Sequence, residues 1–240
     1  MRILLRICVI GVTAIALLLA AATVRVFLYS RGLPDVQTLS EFAPASVTHV
    51  SDPCLAATIA IPYESIGSNL TAALSAAEAS ENDPGVLVET YRGFTQSGGL
   101  HRATLSLQIS RTMFYEPSKT LNRQLDELRT AVQMERRFSR RQLFTIFANR
   151  LAFGENIVGV ESASRHFFHK EPNQLSLGDA ALLAGLARAP SYLSPIKHAD
   201  RAMKRRNEVI DAMANAHTIS ASEASAAKAD PLPSALPTEN

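Results

Sequence analysis

Residues 175–190 read LSLGDAALLAGLARAP. Ser176 followed three residues later by Asp179 resembles a capping box, in which a hydroxyl and an acid satisfy the free backbone N–H groups that open a helix. The run ALLAGLARA that follows is apolar on every side, the pattern of a helix inside a domain rather than on its surface, and Pro190 stops it. Working outward, Ser139 with Gln142 is a second capping box and opens a helix ending near Asn149. Leu121, Leu125, Leu128 and Val132 recur at helical spacing and predict an amphipathic helix over 121–137. Helices are also expected from Ser68, where Leu70, Leu74 and Ala77 share a stripe, over 102–113, and from a cap at Asp200 through Ala214. ENDPG at 81–85 reads as a turn, and FTQSGGL at 94–100 as a flexible loop. Residues 29–60 read as a linker with short β-branched patches at 47–50 and 58–61. The Ala-, Ser- and Pro-rich residues 218–240 read as a disordered tail. The domain is therefore expected to be mainly α.

Composition narrows the function classes. With 24 Lys and Arg against 22 acids, the net charge of +2 is too balanced for a dedicated nucleic-acid binder. The absence of Trp, and only 6% aromatic residues, argues against a base-stacking single-strand binder. Two Cys cannot make a disulfide scaffold. Residues 7–24, ICVIGVTAIALLLAAATV, carry no charge and are flanked by Arg2 and Arg6 before and by Arg25 and Arg31 after. Such a run, extended through Val26, Phe27 and Leu28, can cross ~30 Å of hydrocarbon as a helix. The reading is an uncleaved signal-anchor over 7–28 behind a cytoplasmic tip at 1–6. A cleaved signal peptide ending near Ala20, Ala21 and Ala22 is the weaker alternative.

Four ordered segments across 103–195 carry a family resemblance. Ala103-Thr-Leu-Ser-Leu-Gln108 is similar to a Ser-Thr-Ile-Thr-Gln-Gln motif, and Lys119-Thr-Leu-Asn-Arg123-Gln-Leu-Asp-Glu127 to Arg-Thr-x-x-Arg-Lys-x-x-Glu. Asn149-Arg-Leu-Ala-Phe153-Gly154 is similar to Asn-x-x-Tyr-Phe-Gly, and residues 175–190 are nearly the closing motif. Together they resemble glycosyltransferase family 51, the peptidoglycan glycosyltransferases of monofunctional transglycosylases and class A penicillin-binding proteins. The resemblance implies a lysozyme-like helical domain over 61–217 on the outer face of the bacterial inner membrane. It implies polymerisation of lipid II onto a growing glycan chain, and a penicillin-binding transpeptidase as partner. It also allows a divalent cation such as Mg²⁺ beside the pyrophosphate, although no metal-ligand spacing stands in the sequence.

That chemistry has two needs. A sugar hydroxyl attacking an anomeric carbon needs a carboxylate to take its proton, and the departing pyrophosphate needs cations already in place. By resemblance Glu78 is the base. The Asp expected after it is Ala79, and the segment leading on to Ala103 is shortened, so Glu81, Asp83 and Glu89 stand as alternatives, as does a solvated helix-end role for Glu78. On the pyrophosphate side, Arg111 stands where the family has Lys, Lys119 where it has Arg, and Arg123 is kept while its neighbour is Gln124. Glu127 is assigned to orienting the cations or the donor, with a surface i, i+4 pair to Arg123 as the simpler reading. Thr104 and Gln108 are candidates for sugar or phosphate contacts. Asn149 is read as structural, Arg188 as support to the acidic site, and the HFFH run at 166–169 as packing. A non-catalytic homologue that binds lipid II, glycan or synthesis partners is the second reading, and a lytic glycan hydrolase the third.

Overall fold

The computed structural model describes residues 33–46, 48–50, 58–77, 104–115, 120–154 and 156–232. A 3-10 helix at Val36–Phe42 leads into a hairpin of β1 (Thr48–Val50) and β2 (Thr58–Ala60). The strands are antiparallel, with His49 opposite Ile59. Helices follow: α1 (Tyr63–Ile66), α2 (Ser68–Ala77), α3 (Leu105–Met113), α4 (Leu121–Arg137), α5 (Arg140–Arg150) and α6 (Val160–Phe168). A 3-10 turn at Pro172–Gln174 precedes α7 (Leu177–Leu186), α8 (Pro190–Leu193), α9 (Ala199–Asn215) and α10 (Ala221–Ala229).

The core is built around α7. Ser176 Oγ accepts from Asp179 N at 3.1 Å while the Asp179 carboxylate accepts from Ser176 N, closing the predicted box. Lys170 Nζ donates to the same carboxylate at 2.7 Å, which fixes the helix entry. Gly178 and every residue from Ala180 to Leu186 are buried, so α7 has no solvent face and is packed by α2 and α9. Small residues allow that closeness: a Cβ on Gly185 would meet Arg205 Cγ of α9 at 3.0 Å. At the α1–α2 junction Gly67 has φ +82°, and a Cβ there would lie 2.6 Å from Asn173 Cα, so backbone freedom and close approach both require glycine.

Asn149, fully buried on α5, clips the N-terminal segment to the helical body. Its amide nitrogen donates to Phe42 O and Ile61 O, each at 2.9 Å, and its oxygen accepts from Ile61 N at 3.1 Å. Of the aromatic run, Phe167 and Phe168 are buried and His166 stacks edge-on to Phe167, as packing residues do, whereas His169 is exposed in the cap position after α6.

Several boundaries and faces differ from expectation. The linker segment contributes core, because Val36, Leu39 and Phe42 of the first 3-10 helix are buried. The tail read as disordered from 218 carries α10, with Ala224 and Ala227 buried. Arg206 of α9, itself 2% exposed, donates to Lys228 O and Asp230 O at the end of that helix. Helix α9 opens at Ala199 with His198 in the cap position, which puts Asp200 in the first turn instead of the cap. Pro190 does not itself end α7 but opens α8, where its missing N–H costs nothing. On α4 the expected stripe is divided: Leu128 and Val132 are partly buried against the core and Leu125 is 55% exposed, while Glu127, Thr130, Ala131 and Met134 are buried. Among the described residues no helix is long and apolar enough to cross a membrane; the expected anchor over 7–28, the 81–85 turn and the 94–100 loop lie outside them.

Candidate active site

Helices α3 and α4 pack side by side, and the seam between them is polar rather than apolar. Thr104 caps α3, its Oγ1 accepting from Leu107 N at 3.3 Å. Two residues on, Ser106 Oγ donates to Glu135 Oε1 at 2.6 Å. A further turn on, Ser110 Oγ donates to the main-chain oxygen of Glu127 at 3.0 Å. Beyond the end of α3, Tyr115 OH and Thr130 Oγ1 are 2.8 Å apart; burial pushes the Tyr115 phenol up from its ordinary value, so it stays protonated.

Glu127 occupies the middle of this seam and is 2% exposed. Arg111 Nε of α3 donates to its Oε2 at 2.9 Å, and Arg123 Nη2, one turn earlier on α4, lies 2.7 Å from its Oε1. A buried carboxylate without partners would carry a large desolvation penalty; two guanidiniums offset it. The i, i+4 pair with Arg123 is therefore half of a buried bridge instead of the surface pair that spacing alone allows. The cluster keeps a net positive charge, and the Arg111 side chain is 42% exposed. Guanidinium is suited to this double duty, because its planar fork can hold a carboxylate with one edge and leave other N–H groups for a phosphate.

The structure brings together Arg111, Arg123 and Glu127 among the predicted site residues. Gln108 lies one turn before Arg111 on α3 and shares its face. Thr104 is buried, with its hydroxyl engaged in the helix cap and with Ser106, so it does not point toward a ligand. Asn149 is bonded to the main chain of Phe42 and Ile61, and Arg188 is exposed in the turn after α7. Glu78 and Lys119 lie outside the described residues, as do Glu81, Asp83 and Glu89; Glu78 follows directly on the last residue of α2. Ser106, Ser110, Tyr115, Thr130 and Glu135 were not singled out from the sequence. The signal available was the i, i+4 pair Ser106 and Ser110, set among Leu105, Leu107 and Ile109 in the first half of α3.

Among the described residues no group of three His, Cys, Asp or Glu could hold a metal ion. Both oxygens of the buried Glu127 carboxylate face guanidiniums, so these residues do not fit the divalent cation that the resemblance allowed. What they do fit is an anion brought to the exposed edge of Arg111.

A family model described as Transglycosylase matches residues 58–214. Penicillin-binding protein 1A of Aquifex aeolicus is 32% identical over 226 residues, covering 85% of this chain and 31% of the relative. Penicillin-binding protein 1F of Bacillus subtilis is 34% identical over 122 residues, 51% of this chain and 17% of the relative. A crystal structure of Penicillin-Binding Protein 1A from Haemophilus influenzae is similar at 26% identity over 55% of this chain and 16% of that one, with a TM-score of 0.38. The chain thus spans less than a third of the length of these relatives. The family model takes in β2, α1 to α8 and nearly all of α9, with the Glu127 bridge inside it, and so the chain belongs to the transglycosylase family.

Proposed function

We propose that this chain is a peptidoglycan glycosyltransferase that joins lipid II units into glycan by inverting transfer, with loss of the lipid pyrophosphate. The observation that carries this reading is the Glu127 bridge: a buried carboxylate holding Arg111 at 2.9 Å and Arg123 at 2.7 Å, inside a chain of the transglycosylase family. Leaving-group departure concentrates negative charge on a pyrophosphate oxygen, and cations fixed beforehand stabilise it without reorganising during the reaction. Glu127 fixes them. Its oxygens are turned to the guanidiniums, so its role is to aim cations rather than to take the proton of the attacking hydroxyl. Lys119 adds a third cation to the same task.

The base is then a different carboxylate, and Glu78 is the residue we assign, on the resemblance of the run that leads up to it. We further propose that 7–28 anchors the chain in the bacterial inner membrane, with 1–6 inside and the helical domain, from the 3-10 helix at Val36–Phe42 through α10, outside, where lipid II and a penicillin-binding transpeptidase are met. The absence of the family's Asp at Ala79 favours one second reading, a non-catalytic member that binds lipid II or glycan as a scaffold.

Polymerisation of labelled lipid II by the purified full chain tests both. The parent forms polymer; Glu127→Gln lowers the rate by about 10²-fold, the scale seen on removing one preorganised electrostatic group; Glu78→Gln abolishes it. No product beside a working control enzyme would sink the catalytic reading, and retained binding of labelled lipid II would then support the scaffold. Product that survives Glu78→Gln would move the base to Glu81, Asp83 or Glu89.

A further inference from the structure

We propose that Ser110 is a positioning residue for this site, setting where the Glu127 carboxylate meets Arg111 and Arg123. Ser110 is fully buried on α3, and its hydroxyl donates to Glu127 O across the helix seam at 3.0 Å. Helical serines and threonines ordinarily bond back to a carbonyl of their own helix. Thr112 does so to Gln108 O at 2.9 Å, and Thr145 to Arg141 O at 2.8 Å. Ser110 instead reaches a carbonyl of the neighbouring helix, using the lone pair left over by the intrahelical bond.

The next residue, Arg111, holds the side chain of the same Glu127. Two consecutive residues of α3 therefore grip one residue of α4, one at its backbone and one at its carboxylate. A single contact at the carboxylate would let α4 slide or roll while the flexible side chains followed. Two contacts fix both the height of the turn and the direction of the carboxylate. That matters because the Arg111 side chain is 42% exposed, and Glu127 is the group that keeps its guanidinium in one orientation. The seam has other ties at either end, Ser106 with Glu135 and Tyr115 with Thr130, so losing the Ser110 hydroxyl loosens the middle without separating the helices.

The kinetic consequence rests on the glycosyltransferase reading; the geometric one does not. The experiment uses the full chain with Ser110→Ala, Glu127→Gln and the double variant. Lipid II polymerisation is followed together with water exchange of the Arg111 Nε–H by NMR. A misplacement of well under 1 Å is enough for an expected loss of about 10-fold in kcat, with KM little changed. Ser110→Ala adds no further loss in the Glu127→Gln background, and Arg111 Nε–H exchange in Ser110→Ala speeds up severalfold. Ser110→Cys, which keeps the volume with a weaker donor, gives the same pattern should the alanine variant not fold. Unchanged Arg111 Nε–H exchange, or equal losses from Ser110→Ala in both backgrounds, would overturn the proposal. If the parent makes no glycan, the enzyme reading fails by itself, and the Arg111 exchange still decides the role of Ser110.

Discussion

Replacing Asn149 by Ala removes the clip that fastens the N-terminal segment to α5, and its cost can be worked from three bonds. The side chain is fully buried, donates twice at 2.9 Å and accepts once at 3.1 Å. At about 1 kcal/mol net for each buried hydrogen bond, the direct loss is about 3 kcal/mol. Phe42 O, Ile61 O and Ile61 N are then left facing a site without a partner, which raises the cost toward about 5 kcal/mol if water does not enter. Arg150 stays over the Phe42 ring at 4.8 Å, a contact worth only about 0.5–1 kcal/mol, so it does not compensate. For a domain of this size each kcal/mol moves the melting midpoint by about 2–4 °C. The expected drop is therefore about 6–12 °C at the lower cost, followed by circular dichroism on the full chain. The control is Gln133→Ala, which alters an exposed side chain on α4 and should change stability by no more than about 0.5 kcal/mol. An Asn149→Ala shift no larger than that of the control would refute the claim that this amide holds the segment.

Gly67→Ala should cost more than about 2 kcal/mol in urea unfolding, because φ +82° is a region for glycine and the added Cβ meets Asn173 Cα at 2.6 Å; a smaller shift would mean that the α1–α2 junction yields. Arg206→Met should strand the carbonyls of Lys228 and Asp230, a loss of about 2 kcal/mol that reads as an approximately 30-fold rise in hydrogen exchange of the α10 amides. Unchanged exchange would show that α10 is held by its apolar contacts alone. The Glu223 carboxyl lies below its usual range, chiefly because the Ser220 hydroxyl donates to it, as does the Ser220 backbone N–H. A carboxyl depressed in the folded state contributes above its unfolded value of about 4.3 and loses that contribution as pH falls through the folded value. Protection of the first turn of α10 should thus decline below about pH 4, and Glu223→Gln should remove that dependence.

The central helix was legible because everything that decides it is local: a capping pair, an uninterrupted apolar run, and a proline beyond. The same signal stood at Ser220 and Glu223, where Ser-x-x-Glu opens α10 with both halves of the box formed. There the surrounding Ala and Ser give no apolar stripe to support it, and the helix holds its place through Arg206, which lies on another element. The 3-10 helix at Val36–Phe42 was illegible for a related reason. Three apolar residues among polar ones specify no element, the Asp35 cap is a weak signal alone, and the helix end is held at Phe42 O by the Asn149 amide 107 positions away in sequence.

On α4 the apolar stripe locates only part of the buried face, and the rest of that face carries the chemistry. Apolar periodicity selects a buried stripe by assuming that only apolar residues are worth burying. Here the face turned to α3 carries Glu127 and Thr130, and each has its partner waiting there: guanidiniums for the acid, a phenol for the hydroxyl. Once those partners exist, burying this face costs little; Leu128 and Val132 stay partly buried against the core, and Leu125 is 55% exposed. Stability alone gives little reason to bury a carboxylate between two arginines, since an apolar residue of similar volume packs in such a place without the desolvation cost. Burying the acid here holds cations still. That is what a site must do if charge is to develop against it faster than side chains can reorganise. Polar residues placed where an apolar stripe predicts solvent therefore mark the site more specifically than their spacing does, since spacing alone gave Arg123 and Glu127 only the weight of a surface pair.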